Sequence, residues 1–134
     1  MIATNQDLEG LLSRLDRGFE PAGEGGVYLV RMGRGLPPCA LTLAPPVLAV
    51  QAQVGAAPPP GASGSEPLLR RLLELNATGL LHAAFAIEGK DIVLTAALEL
   101  ENLDLNELEA VLADVDMALS EHVPALRQLS GERS

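Results

Sequence analysis

The chain has 134 residues, 48% of them hydrophobic, and this length is typical of one domain with a substantial core. Its net charge is −9. Thirteen acidic residues follow residue 65, and no Lys or Arg lies between Lys90 and Arg127. Phosphate contacts need clustered basic side chains, so direct nucleic-acid binding is disfavoured. A protein partner with a basic surface would be attracted, although a merely solvated acidic face would have the same composition.

The cysteine content and the first residues indicate a reducing compartment. Cys39 is the only cysteine, so an intrachain disulfide and a cysteine-based zinc site are excluded. The first residues lack the basic and apolar segments of a signal peptide, which predicts a cytoplasmic protein. Residues 35–65 are uncharged but contain seven prolines. Their main-chain groups would stay unsatisfied in lipid, so we expect no membrane insertion.

The first half of the chain predicts a helix followed by three strands. Thr4 and Asp7 resemble a capping box at the start of a helix over about residues 5–16. A glycine-rich loop over residues 20–26 follows it. Three segments rich in β-forming residues then predict strands: Val27–Met32, Cys39–Leu43 and Val47–Val54.

Proline and glycine define the connections. Pro45 and Pro46 must lie in a tight turn or at a sheet edge, because proline is excluded from the middle of a sheet. Residues 55–65 have the composition of a flexible loop. Each half alone is too small to fold, so we expect this loop to lie inside a single domain spanning residues 1–134.

The second predicted helix begins at Ser65 or Glu66, with one of them as its cap and Pro67 in the first turn. Its leucines cover roughly 160° of the helix circumference at about 100° per residue, which is wider than a helix on its own sheet requires. Leu69 and Leu73 provide the extra width. This pattern favours a dimer.

A hairpin and an acidic helix complete the chain. Alternating residues predict two strands joined at Gly89. Asp104 and Glu107 then cap a third helix. We expect Pro124 to kink or break that helix near its end. The small residues of the hairpin, Ala84, Ala86, Thr95 and Ala97, leave open an alternative function, in which they line the pocket of a regulatory small-molecule-binding module.

Catalytic groups are scarce. His82 and His122 are far apart in sequence and neither has a second ligand at helical spacing, so no metal site is predicted. No basic residue lies near Cys39 in sequence, so a buried, inert thiol is expected. We predict no enzyme and no cofactor.

The order helix, three strands, helix, two strands, helix resembles the type III secretion chaperone fold. Leu72-Leu73-Glu74-Leu75-Asn76 is similar to the Leu-Leu-x-x-Asn helix end of CesT-like chaperones and of the YbjN family. Ile92-Val93-Leu94 and the segment from Leu103 to Leu108 extend the resemblance. It implies an α+β fold of order α-β-β-β-α-β-β-α, with helices packed on an antiparallel sheet. It also implies a dimer formed by the second helix and the adjoining strand, and a protein partner.

We therefore predict a non-enzymatic, homodimeric, protein-binding chaperone or regulatory adaptor. The predicted dimer interface combines the wide leucine face with the second hairpin strand: Leu69, Leu73, Val93 and Ala97. The predicted partner-binding residues lie in the uncharged, strand-rich segment, where a partner segment could add at an exposed strand or occupy an apolar groove: Leu41, Leu43, Val47 and Val50.

Overall fold

The computed structural model describes residues 2–23, 26–80 and 82–130. In chain order the elements are α1 (Asn5–Leu12), β1 (Phe19–Pro21), β2 (Val27–Val30), β3 (Cys39–Ala44), β4 (Val47–Ala56), α2 (Ser65–Thr78), β5 (Ala84–Glu88), β6 (Asp91–Glu99) and α3 (Leu105–Ser130). The predicted α+β class and element order are confirmed, and the three-residue strand β1 is added after α1.

The strands form one antiparallel sheet of order β1-β2-β3-β4-β6-β5. β4 is the longest strand and pairs with both β3 and β6. α2 carries the chain from β4 to β5, which pairs only with β6 and lies at one edge. β1 lies at the other edge. The turn at Pro45 and Pro46 joins β3 to β4 as predicted, through a cis peptide bond.

One hydrophobic core joins the three helices to one face of the sheet. The largest buried side chains include Leu8 and Leu12 of α1, Leu68 of α2, and Leu108, Leu112 and Leu119 of α3. Leu41, Val50 and Leu94 project from the strands into the same cluster. No helix in the described residues is both long and apolar enough to span a bilayer.

Side-chain caps begin α1 and α3 as the sequence predicts. The Thr4 hydroxyl accepts a hydrogen bond from the Asp7 N–H, and the Asp7 carboxylate accepts one from the Thr4 N–H. Asp104 accepts from the Glu107 N–H at 2.8 Å. These bonds satisfy donors that have no partner inside the helix.

The start of α2 differs from the prediction. Its cap position is Gly64, at φ 81°, and no side chain caps the helix. Ser65 is already helical, and Pro67 lies in the first turn as predicted. Glycine suits this left-handed conformation because it carries no Cβ.

The ends of three other segments also differ. α1 stops at Leu12 instead of residue 16, because the chain turns with hydrogen bonds that span only three residues, such as Leu15 N–H to Leu12 C=O. β4 extends to Ala56, so the predicted loop starts after that residue. Of the predicted loop at 20–26, residues 20 and 21 belong to β1, and residues 24 and 25 lie outside the described part.

Pro124 does not break α3. The helix continues through it to Ser130. Val123 and Leu126 on either side are buried in the core, and Pro124 itself is exposed. The packing of its neighbours compensates for the hydrogen bond that proline cannot donate.

Candidate protein-interaction surfaces

The outer face of α2 is apolar and only partly covered by the chain itself. Leu68, Leu72 and Leu75 are buried against the sheet and α3. Leu69 is half-buried, and Leu73 is 70% exposed, the largest exposed fraction among the large hydrophobic side chains described. The extra width of the leucine face is therefore not covered within the chain.

The C-terminal end of α2 is attached to β5 through Asn76. The Asn76 Nδ2 donates to the Phe85 C=O at 3.0 Å, and the Phe85 N–H donates to Asn76 Oδ1 at 2.7 Å. Both bonds are part-buried. The Asn76 side chain therefore points at the free edge of β5. The directions of the other α2 side chains can be given as angles around the helix axis from Asn76.

Two leucines of α2 lie on the side of Asn76. At about 100° per residue, Leu69 is about 20° and Leu73 about 60° from the Asn76 direction. α2 contacts β5, and Ile87 on that strand is 50% exposed. We call Leu69, Leu73 and Ile87 the α2–β5 patch. Sequence reasoning found its leucines but not Ile87, because the alternation of β5 predicts that Ile87 shares the buried face of Phe85.

The other two residues of the predicted dimer interface lie on a different surface. Val93 and Ala97 project from β6 on the sheet face opposite the core, next to Gln53 and Ala49 of β4. Ala97 is exposed, but Val93 is only 3% exposed. The structure thus brings Leu69 and Leu73 together and separates them from Val93 and Ala97 by the sheet.

Short and polar side chains cover the sheet face opposite the core. Ala84 and Thr95 are cross-strand neighbours, as are Ala86 and Val93. The amides of Gln51 and Gln53 donate to the carboxylates of Glu88 and Asp91, each at 3.0 Å. Ala84, Ala86, Thr95 and Ala97, the residues of the alternative ligand pocket, line neither cavity described below.

The predicted partner-binding residues separate into buried and accessible ones. Leu41 and Val50 have no exposed surface, because both point from the sheet into the helices. They are core residues and not partner-binding residues as predicted. Leu43 packs partly against the same core. Val47 is half-buried at the end of β4, opposite Ala44. Only Leu43 and Val47 keep surface that a partner could contact.

A groove of about 360 Å³ lies beside the β1 edge of the sheet. Its lining contains one acid, Glu20, one base, Arg31, and five apolar side chains: Phe19, Leu29, Met32, Leu36 and Pro38. We call it the β1–β2 groove. The sequence did not indicate it, because the region containing β1 has the composition of a loop. A smaller pocket of about 340 Å³ is lined by Leu15, Asp16, Arg17, Glu109 and Ala113.

Two acids of α3 are anchors of the fold. Asp114 accepts from the N–H groups of His82 and Ala83, at 2.8 and 3.2 Å. Asp116 forms an ion pair with Arg17 at 2.9 Å and accepts from the Gly33 N–H at 3.1 Å. The sequence predicts only solvated acids here, with Asp114 on one flank of the helix and Asp116 on the other, because an anchor cannot be recognised without its distant partner. Glu107, Glu109 and Glu121 on these flanks are exposed.

The reactive side chains do not converge. The Cys39 thiol is buried as expected, and this burial raises its pKa to about 12. His122 packs edge-on against Phe85, with 6.3 Å between the ring centres, and its Nε2 lies 3.7 Å from Glu121. His82 is exposed beside Asp114. Among the described residues, no three His, Cys, Asp or Glu side chains are arranged to hold a metal ion.

The sequence of this chain matches a known protein family over nearly its whole length. The model of the CesT_Tir_1 family matches residues 1–132. The chain belongs to the CesT_Tir_1 family. This is a family of chaperones and adaptors that is not known for catalysis, and membership supports a protein-binding, chaperone-like role. Among curated protein sequences, none matches the chain.

Two solved structures share the fold of this family member. YbjN from E. coli, proposed to be a transcription regulator, has a TM-score of 0.67 and 14% identity, with 89% of this chain and 90% of YbjN covered. SpcU, in the heterodimeric ExoU–SpcU complex of the Pseudomonas aeruginosa type III secretion system, has a TM-score of 0.57 and 19% identity, with 92% and 96% covered. The predicted resemblance to YbjN and to secretion chaperones is confirmed.

Proposed function

We propose that this protein is a homodimeric chaperone or regulatory adaptor that binds a segment of another protein, acting in the cytoplasm without a cofactor. Membership of the CesT_Tir_1 family supports a protein partner. SpcU, which has the same fold, forms a heterodimeric complex with ExoU. The exposed Leu73 is the single observation that carries the dimer, because an unpaired leucine at this exposure loses stabilisation that a second copy would restore.

The α2–β5 patch is the proposed contact between the two copies. It consists of the half-buried Leu69 and the exposed Leu73 of α2, together with the exposed Ile87 of β5, a strand that α2 contacts. The surrounding charged residues have both signs, since Arg70 and Arg71 lie on α2 and Arg71 is 4.0 Å from Glu74. An apolar centre with a mixed polar rim is the usual anatomy of a protein interface.

A glutamate in the patch tests the dimer. Leu73→Glu is expected to convert a dimer into a monomer, because a charge would be buried without a partner at the contact. The double variant Leu69→Glu and Leu73→Glu is expected to have the same effect, and Leu73 alone is the cleaner change because Leu69 also packs on the core. The measurement is molar mass by light scattering across a concentration series.

Met117→Glu provides the matched control. Met117 is 61% exposed on α3 and lies outside the patch. This variant is expected to keep the dimer. A monomeric wild type, or a Leu73→Glu protein that stays dimeric, would contradict the proposal.

The β1–β2 groove is the proposed site for the partner segment. It combines five apolar side chains with one acid and one base beside a strand edge, which suits an extended peptide that carries apolar anchors. Leu43 and Val47 remain proposed contacts, although they lie away from this groove. Leu29→Glu is expected to abolish capture of the partner while the dimer persists. Thr42→Glu on the sheet face opposite the core is the control that retains capture.

A further inference from the structure

The edge of β5 is closed by side chains of its own chain. β5 is the last strand of the sheet, so one of its sides has no neighbouring strand. In an antiparallel ladder, alternate residues direct both main-chain groups toward the paired strand, and the residues between them direct both groups away. Which residues of β5 face the free side can therefore be read from their hydrogen bonds.

Phe85 faces the free side. It directs its N–H and its C=O to the side chain of Asn76, while Leu94 is its cross-strand neighbour on β6. By alternation, Ile87 also directs its groups away from β6, and Ala83, the residue before β5, donates its N–H to a side chain rather than to β6. The tight turn that pairs Glu88 with Asp91 agrees with this register, because the closing pair of a two-residue hairpin turn is hydrogen-bonded.

Two of these three outward positions are already occupied. The amide of Asn76 supplies one donor and one acceptor to Phe85, the same pair of groups that an incoming strand would supply. The carboxylate of Asp114 accepts from the N–H of Ala83. Ile87 is left without such a side chain in the described part of the chain. The hydrogen bonds of one residue are too few to offset the freedom lost when a strand docks.

We propose that Asn76, supported by Asp114, closes the β5 edge against strand addition. Extended peptides and the β5 strand of a second copy are then excluded from this edge, and contacts at this end of the molecule are made by side chains. An exposed strand edge is a template for aggregation, and here the side-chain amide of Asn76 on the preceding helix blocks it. This inference goes beyond the proposed function and does not depend on it.

The decisive variant is Asn76→Ala, compared with Asn106→Ala, which removes an exposed asparagine from α3. In Asn76→Ala the Phe85 amide is expected to exchange with solvent roughly three- to tenfold faster, the effect of one lost hydrogen bond. Asn76→Asp keeps the acceptor for that amide and loses the donor, so its exchange rate is expected to lie between the other two. Equal exchange of the Phe85 amide in Asn76→Ala and Asn106→Ala would overturn the proposal.

Strand addition itself is measured by sedimentation in the Leu73→Glu background, so that the proposed dimer contact does not contribute. Asn76→Ala is expected to self-associate in this background with an increase in intermolecular β-structure by infrared spectroscopy. Adding Ile87→Pro is expected to abolish the association, because proline removes an outward N–H without removing a bond to β6. Association that survives Ile87→Pro, or no association in Asn76→Ala, would overturn the proposal. If Asn76→Ala does not fold, Asn76→Leu, which also removes both the donor and the acceptor, replaces it with the same criteria.

Discussion

Individual polar side chains hold distant segments of this chain together. Asp116 is the clearest case, because its two oxygens bind Arg17 and the Gly33 N–H, which belong to the loops flanking β1 and β2. Gly33 permits this contact, since a Cβ at that position would lie 2.9 Å from Asp116 Oδ1. Tyr28 also joins distant segments, because its hydroxyl donates a hydrogen bond to Glu9 of α1. Burial is the larger cause, and this hydrogen bond the smaller, of a pKa above the usual value for that hydroxyl.

Cys39 gives a prediction at the residue scale. Because burial raises the pKa of its thiol to about 12, the folded protein at pH 8 is expected to react with a thiol reagent far more slowly than the unfolded protein. The rate is measured with a chromogenic disulfide, with and without denaturant. Equal rates in the two states would contradict a buried thiol.

The same thiol has a consequence for alkaline stability. Its folded pKa is raised, so its contribution is fully present below the unfolded value of about 9 and is lost as the pH rises from there toward about 12. Cys39→Ala removes this contribution, so the variant's free energy of unfolding is expected to fall less steeply above pH 9 than that of the wild type.

At the scale of elements, α1 depends on its cap. It has eight residues, too few for an isolated helix, and is stabilised by the burial of Leu8, Leu11 and Leu12 together with the Thr4–Asp7 bonds. Thr4→Ala is expected to lower the free energy of unfolding by about 1 kcal/mol, measured by urea denaturation. Gln6→Ala, on the exposed side of the helix, is the control and should change little.

Asp7 adds a pH dependence to this cap. Hydrogen bonds from the N–H groups of Ala3 and then Thr4 lower the pKa of Asp7 below its ordinary value. Its contribution is therefore present above the unfolded pKa and is lost as the pH falls through the lower folded value. Asp7→Asn is expected to flatten the acid side of the stability profile. A profile parallel to that of the wild type would contradict the role of this carboxylate.

At the scale of the molecule, net charge affects the rate at which a partner associates, and apolar surface affects the contacts made after it docks. If the partner has a basic surface, as we propose, the exposed acids of α3 would attract it over about 10 Å at 0.1 M salt, whereas apolar contacts are insensitive to salt at this level. Association with the captured partner is expected to slow as salt rises. Replacing Glu107, Glu109 and Glu121 by Gln should weaken that dependence more than replacing Glu66, Glu99 and Glu101. An association rate independent of salt would contradict electrostatic steering.

The fold was predictable wherever the signal is local. The caps at Thr4 and Asp104, the turn at Pro45, and the alternation of β6 depend on residues close in sequence, and the structure confirms each of them. Leu41 and Val50 were harder, because alternation identifies two faces of a strand without saying which face the helices cover. Their assignment to a partner surface was wrong for that reason.

The amino-acid sequence by itself determined the element order, the buried cysteine and the over-wide leucine face of α2, since each follows from composition or from spacing within one element, and the family that this order resembles implied the fold class. Only the tertiary structure decided that β5 lies at the sheet edge, that Asn76 occupies its outward groups, and that Asp114 and Asp116 are anchors. These facts depend on contacts between residues as many as 99 positions apart. Such contacts are selected by the packing of the whole chain, and no local pattern encodes them.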